Sequence, residues 1–192
     1  LYHANLRLSQ AFYPLLSLLE VMIRNAIDVE FTRYFNDNNW LQNQRRGFMI
    51  DPNLTYTHWN TGRIITNSFL KDEVNKAIKN IRKSRVIVTN IKIIADLKFG
   101  FWIALFDSTH YAILNGLPIR IFSNLPTGAS RQSVDRTLTR IRDFRNRLYH
   151  NEPIIFSKDS AGNPVYDLTN ASMVYHDIQD VFRWFGLNFT DW

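Results

Sequence analysis

The stretch from Leu6 to Phe35, LRLSQAFYPLLSLLEVMIRNAIDVEFTRYF, constrains the fold more than any other part of the chain. It holds no glycine, and Leu8, Phe12, Leu15, Leu16, Leu19, Ile23, Ala26 and Ile27 recur at three- and four-residue steps. That period belongs to an α-helix with a broad buried stripe. Pro14 lacks an amide donor and crowds the preceding turn, so it either kinks this helix or opens a second one. One long helix, broken at most at Pro14, is the expectation. Glu20 and Arg24 lie four residues apart on one face of it, beside Leu16, Ile23 and Ile27. They read either as an exposed ion pair or as a pair at the core margin that orients another polar group.

Further along, helical and irregular segments alternate. Asn36 to Thr66 mixes Asn, Gly, Pro and aromatics without a period and reads as a long connection with short turns. Arg45, Arg46, Tyr56, His58, Trp59 and Arg63 in it suit an aromatic and basic surface for stacking bases, although clamping of the loop onto the helices is the simpler expectation. Ser68 to Ser84 is helical, with Ser68 as cap and Phe69, Val74, Ala77, Ile78 and Ile81 as its buried face. Its cations Lys71, Lys76, Lys79, Arg82 and Lys83, with Arg85 just beyond, read as a solvated face, with RNA contact as the alternative. RVIVT, Arg85 to Thr89, is a helix start or an extended linker. A helix over about Asn90–Leu97 and another over Phe99–Leu114 follow, with Gly100 at the joint and Phe99, Trp102, Ile103, Phe106, Tyr111 and Leu114 as core. Leu117 to Pro126 is a connection and Lys158 to Pro164 a turn. Asn170 to Phe185 is a last amphipathic helix, with Met173, Val174, Ile178, Val181, Phe182 and Phe185 on one side.

The bulk numbers fit this picture. A chain of 192 residues suits one domain, and 45% hydrophobic residues with seven glycines indicate a packed core rather than disorder. With no cysteine there are no disulfides or thiolate metal sites, and a cytoplasmic location is compatible. No uninterrupted apolar run of about twenty residues stands out, so no transmembrane helix and no membrane partner are expected. The formal charge of +6 favours a polyanionic partner, because Lys and Arg replace the counterions around phosphates.

The chemistry concentrates between Ser130 and Pro153, SRQSVDRTLTRIRDFRNRLYHNEP. Leu138, Ile141, Phe144 and Leu148 form the buried face of a basic helix. Arg131, Arg136, Arg140, Arg142, Arg145 and Arg147 surround that face, opposed only by Asp135 and Asp143, which makes a candidate phosphate site. At its end stands RNRLYH, with Arg145 and His150 five positions apart, roughly 140° on an ideal helix. One straight helix does not converge them. Asn146 shares a face with His150 and is placed to hold the imidazole or the helix end. Either the helix end changes shape near His150, or a second copy of the chain supplies the missing group across a two-fold axis.

Arg145 through His150 resembles the R-x4-6-H signature of HEPN-domain ribonucleases, including the polar residue after the arginine, here Asn146. LSQAFYPLLSLLEVMIRNAI, KFGFWIALF and RIRDFRNRLYHNEPI, in that order, resemble the Abi-like (abortive infection) branch of that superfamily, over about Leu6 to Ile154. The resemblance implies an all-α, HEPN-type helical bundle with irregular connecting loops that commonly forms a homodimer with a composite active site. It implies metal-independent RNA cleavage in phage defence or as a toxin-like effector, with no cofactor. Carried over, Arg145 and His150 are the catalytic pair and Asn146 the supporting polar residue, while Glu20 and Arg24 match the acidic and basic positions of the first long helix. Arg140, Arg142 and Arg147 are the expected RNA contacts. Some HEPN toxins carry a tyrosine two residues after the histidine, where a nucleotidyltransferase antitoxin inactivates them; here that position is Glu152, which speaks against that control and leaves any antitoxin or regulator unidentified. The alternative is a non-catalytic HEPN-type RNA- or protein-binding module in which Arg145 and His150 merely cap a helix and pin it to Glu20; a nucleotide-binding sensor is a third reading.

Overall fold

The computed structural model describes residues 2–187. Helix accounts for 65% of the structure and strand for 6%, so the fold class is all-α. In chain order the elements are α1 (Tyr2–Phe35), α2 (Trp40–Asn43), β1 (Thr55–Thr57), β2 (Ile64–Thr66), α3 (Phe69–Lys83), α4 (Asn90–Asp96), α5 (Phe99–Ala104), α6 (Ser108–Ile113), α7 (Arg131–Tyr149), β3 (Phe156–Lys158), β4 (Pro164–Tyr166) and α8 (Thr169–Trp184). Short 3-10 turns cover Gln44–Arg46, Phe48–Ile50, Pro52–Leu54 and Leu117–Ile121. The chain divides into two compact units, one joining Leu1–Ile23 to Phe122–Trp192 and the other Arg24–Ile121.

α1 is a single helix through Pro14, which is exposed. The unpaired carbonyl one turn before a proline on a solvated face can bond to water, so the helix need not end there. Of the predicted stripe, Phe12, Leu16, Leu19, Ile23 and Ile27 are buried while Leu8, Leu15 and Ala26 are half-buried, and Phe31, not expected, is fully enclosed. Each fully enclosed large side chain is worth about 1.5–3 kcal/mol relative to exposure. From His3 to Phe35 this helix is long and apolar enough to cross a membrane by length and composition alone, a test that core helices also pass. The residues that make it so apolar include those it buries against the protein.

In the first unit, α7 opens with a reciprocal cap. Ser130 Oγ accepts from the Ser133 amide at 3.1 Å, and Ser133 Oγ accepts from the Ser130 amide at 3.0 Å. Its predicted face, Leu138, Ile141, Phe144 and Leu148, is buried, as are Val174, Ile178, Val181 and Phe182 on α8, and the two helices pack together. The Phe12 ring of α1 lies 4.7 Å from Phe144 and 6.4 Å from Tyr175, which ties the start of α1 to both. On α8 the expected members Met173 and Phe185 are exposed and half-buried, and Ala171 and Trp184 are buried instead. The Lys158 to Pro164 turn closes a hairpin in which β3 pairs antiparallel with β4, Phe156 opposite Tyr166. Asp159 organises the turn by accepting from the Ala161 and Asn163 amides at 2.9 and 2.8 Å.

In the second unit, Asp28 of α1 accepts from Trp40 Nε1 at 2.8 Å and from Asn90 Nδ2 at 2.9 Å, fastening the loop and the start of α4. The segment Asn36 to Thr66 is more ordered than expected. It contains α2, three 3-10 turns and a β-hairpin with Thr55 opposite Thr66. On α3 the buried face begins at Leu70 rather than Phe69, which is 43% exposed. Ser68 makes no cap to the backbone; its hydroxyl donates to Asp72 Oδ2, and Asn67 Oδ1 accepts the Phe69 amide. Arg85 to Thr89 is an irregular linker. The predicted helix over Phe99–Leu114 is two short helices, because Asp107 turns extended and caps α6, and the joint before α5 falls at Leu97 and Lys98 rather than Gly100. Tyr111 is half-buried, and the other predicted core residues here are buried.

Candidate active site at the end of α7

The end of α7 is set by a local backbone device. Asn151 adopts the left-handed conformation at φ 55°, its amide donates to the Leu148 carbonyl at 3.1 Å, and the Glu152 amide donates to the Arg147 carbonyl at 2.9 Å. This is a Schellman closure with Asn in the place usually held by glycine. His150 is therefore the C-cap residue, and its own amide still donates to the Asn146 carbonyl at 3.0 Å. Helical phase thus persists up to His150, whose side chain is exposed.

Arg145 points another way. Its Nη2 donates to Glu20 Oε2 at 3.2 Å, and its guanidinium carbon lies 4.0 Å from the centroid of the Tyr149 ring. Tyr149 in turn lies 5.1 Å from the Tyr13 ring. Arg145 and Glu20 keep only 19% and 16% of their side chains exposed, so the pair is strongly shielded from water. Arg145 Nε is buried without a hydrogen-bond partner. Asn146 is exposed, and its Oδ1 accepts from Arg145 Nη1 at 3.4 Å rather than from the imidazole. Glu20 thus spends its carboxylate on α7 rather than along α1. Arg24, one turn on in the second unit, is half-buried, and its Nε has no hydrogen-bond partner.

The neighbouring arginines are committed to carboxylates. Arg140 holds Asp177 with two bonds, Nε to Oδ2 at 2.8 Å and Nη2 to Oδ1 at 2.6 Å, and donating to the Asp177 carboxylate raises its pKa above the ordinary guanidinium value. Arg142 pairs with Asp143 at 2.8 Å. Arg147 pairs with Glu152 at 3.4 Å and donates to the Pro153 carbonyl. Arg131 pairs with Asp135 at 3.1 Å.

Two contributors escaped the sequence reading. Asp177 sits between Val174 and Ile178 on the buried face of α8, and an acid on an apolar stripe signals a cationic partner on the helix it faces. Tyr13 stands beside the buried Phe12 and carries no such mark. In the second unit, His110 is fully enclosed, with Nδ1 2.7 Å from Asp107 Oδ2 and Nε2 unpartnered. Burial pushes the Asp107 carboxyl up, but hydrogen bonds from the His110 ring and amide, the His110 charge and the Thr109 amide outweigh it, and the pKa is lowered. Among the described residues, no three His, Asp or Glu side chains gather where they could hold a metal ion.

The end of α7 therefore presents an exposed imidazole next to a shielded, oriented guanidinium on a different face of the same helix. No protein-family model matches the chain, and no curated protein or solved structure matches it either.

Proposed function

We propose that this protein is a metal-independent endoribonuclease of the HEPN type, acting in phage defence or as a toxin-like effector. The observation that carries the reading is the pairing, within RNRLYH, of an exposed His150 at a fixed helix end with an Arg145 pre-positioned by Glu20 and Tyr149. The imidazole accepts the proton of a ribose 2'-hydroxyl or donates one to the departing 5'-oxygen. The 2'-oxygen attacks phosphorus, the bond to O5' breaks, and the products are a 2',3'-cyclic phosphate and a 5'-hydroxyl. Arg145 stabilises the charge that grows on the phosphoryl oxygens. To do so it exchanges part of its contact with Glu20 for the phosphate. DNA lacks the nucleophile and is not cleaved. Because the helix separates Arg145 and His150 by roughly 140°, the active form is a homodimer in which each site draws on both copies.

Incubation with total RNA in EDTA tests the reading. The wild type yields fragments ending in cyclic phosphate, and His150→Ala and Arg145→Ala leave the RNA intact. Identical RNA profiles for all three proteins would sink the nuclease.

A second reading is favoured by one observation: Arg145 already has a carboxylate at 3.2 Å and a ring at 4.0 Å. In that reading the chain is a non-catalytic HEPN-type RNA- or protein-binding module, and Arg145 is a clamp between α1 and α7. It predicts that Arg145→Ala lowers stability without any RNA product being lost, because none forms.

A further inference from the structure

α3 pairs one of its cations, Lys76, with Glu73 at 3.5 Å, but one side of it has none of the carboxylates that occupy the arginines of α7. Between Arg45 and Arg85 the chain carries nine Lys and Arg against three Asp and Glu, an excess of six that equals the net charge of the whole chain. Within the second unit, Arg45, Asn75, Ile78, Lys79, Arg82 and Lys83 line an open depression of about 410 Å³. No acidic residue lines it, and Lys79, Arg82 and Lys83 are exposed, without ion pairs among the described residues. The fourth cation is held in place. Arg45 Nε donates to the Gln42 carbonyl at 3.0 Å and Nη1 to Asn75 Oδ1 at 2.9 Å, both neutral acceptors that orient the guanidinium without cancelling its charge.

We propose that this depression on α3 binds the phosphodiester backbone of RNA. Four cations around a concave surface with no counter-charge concentrate positive potential, which is relieved by a ligand carrying several phosphates. Lys79 and Lys83 are one turn apart, about 6 Å along the helix, so they can meet separate phosphates of one strand. An Arg fixed beforehand loses less side-chain freedom on binding than a mobile one. The contact is indifferent to sequence, since only backbone charge is read. Naming RNA as the polyanion rests on the nuclease reading; the basic site itself does not.

Fluorescence anisotropy with a labelled single-stranded RNA of mixed sequence, fully 2'-O-methylated, tests the site. That probe cannot be cleaved through the 2'-hydroxyl, so binding is read apart from turnover. The triple variant Lys79→Gln, Arg82→Gln, Lys83→Gln is expected to bind about tenfold to a hundredfold more weakly at moderate salt. It should also lower the slope of log K against log salt by about 2, at roughly 0.7 per single-strand phosphate released. Unchanged affinity and slope in a folded triple variant would overturn the site, as would a larger loss from Arg142→Gln with Arg147→Gln on α7. Polyglutamate competing as well as RNA does would overturn the assignment to nucleic acid. Should the triple variant fail to fold, wild-type protein is acylated with and without the probe and mapped by mass spectrometry. Protection of Lys79 and Lys83 supports the site, and equal labelling overturns it. Binding that depends on α3 supports the proposal whether or not unmodified RNA is cleaved, so failure of the nuclease reading shows separately.

Discussion

Glu20 and Arg145, 125 residues apart in sequence, meet at 3.2 Å with most of both side chains shielded from water. The contact joins the middle of α1 to the end of α7. An exposed pair is worth well under 1 kcal/mol, whereas leaving one buried partner behind costs several. Glu20→Gln is therefore expected to lower stability by about 1–2 kcal/mol in urea unfolding, between those limits. A double-mutant cycle with Arg145→Ala should give a coupling energy above about 0.5 kcal/mol. Additive losses would mean the two side chains do not interact.

Arg140 and Asp177 make the tighter connection, with two bonds between α7 and α8. Asp177 is buried, so Arg140→Ala strands a carboxylate and should cost about 2 kcal/mol or more. Arg140→Lys restores the charge but not the second bond and should recover only part of the loss. Thermal or urea unfolding of the two variants checks the order.

The position of His150 depends on Asn151. Glycine adopts φ 55° without steric cost, so Asn151→Gly should change stability by only a few tenths of a kcal/mol and preserve the helix end. A β-branched residue is strained there, and Asn151→Val should cost about 1–2 kcal/mol. If the nuclease reading holds, only the valine variant loses RNA cleavage. A valine variant as stable as wild type would show that the closure is not needed.

Asp107 gives a pH dependence of known sign. Its carboxyl titrates below the ordinary value in the folded protein, so just below that ordinary value the unfolded chain binds more protons than the native one. Stability from this group is present above the usual carboxylate range and is lost as pH falls through the lowered pKa. Between pH 5 and pH 3, wild type should lose more unfolding free energy than Asp107→Asn. Parallel losses would remove the His110 contact as the source.

Much of the helical layout was legible in the chain because it depends on local order. The stripe in α1 and the buried face of α7 follow from residues within one or two turns of each other, where period decides the outcome. The cap at Ser130 was as local but was not read from the sequence. The break of the predicted Phe99–Leu114 helix at Asp107 was local as well, but apolar pattern outweighed a capping signal in the reading. The two hairpins were missed because strands of three residues carry no readable period.

What the amino-acid sequence alone determined is the inventory: a long apolar helix, an arginine-rich helix ending in RNRLYH, and an excess of positive charge with no cysteine. Tertiary structure decided which of those charges have partners. Asp177 and Glu20 are remote in sequence from the arginines they hold, and their distances to Arg140 and Arg145 depend on how α1, α7 and α8 pack. Coulomb energy falls with distance and with exposure to water, neither of which can be counted along a chain. So α7, the more arginine-rich helix, has most of its cations neutralised, while the cations facing the depression on α3 remain without counter-charge.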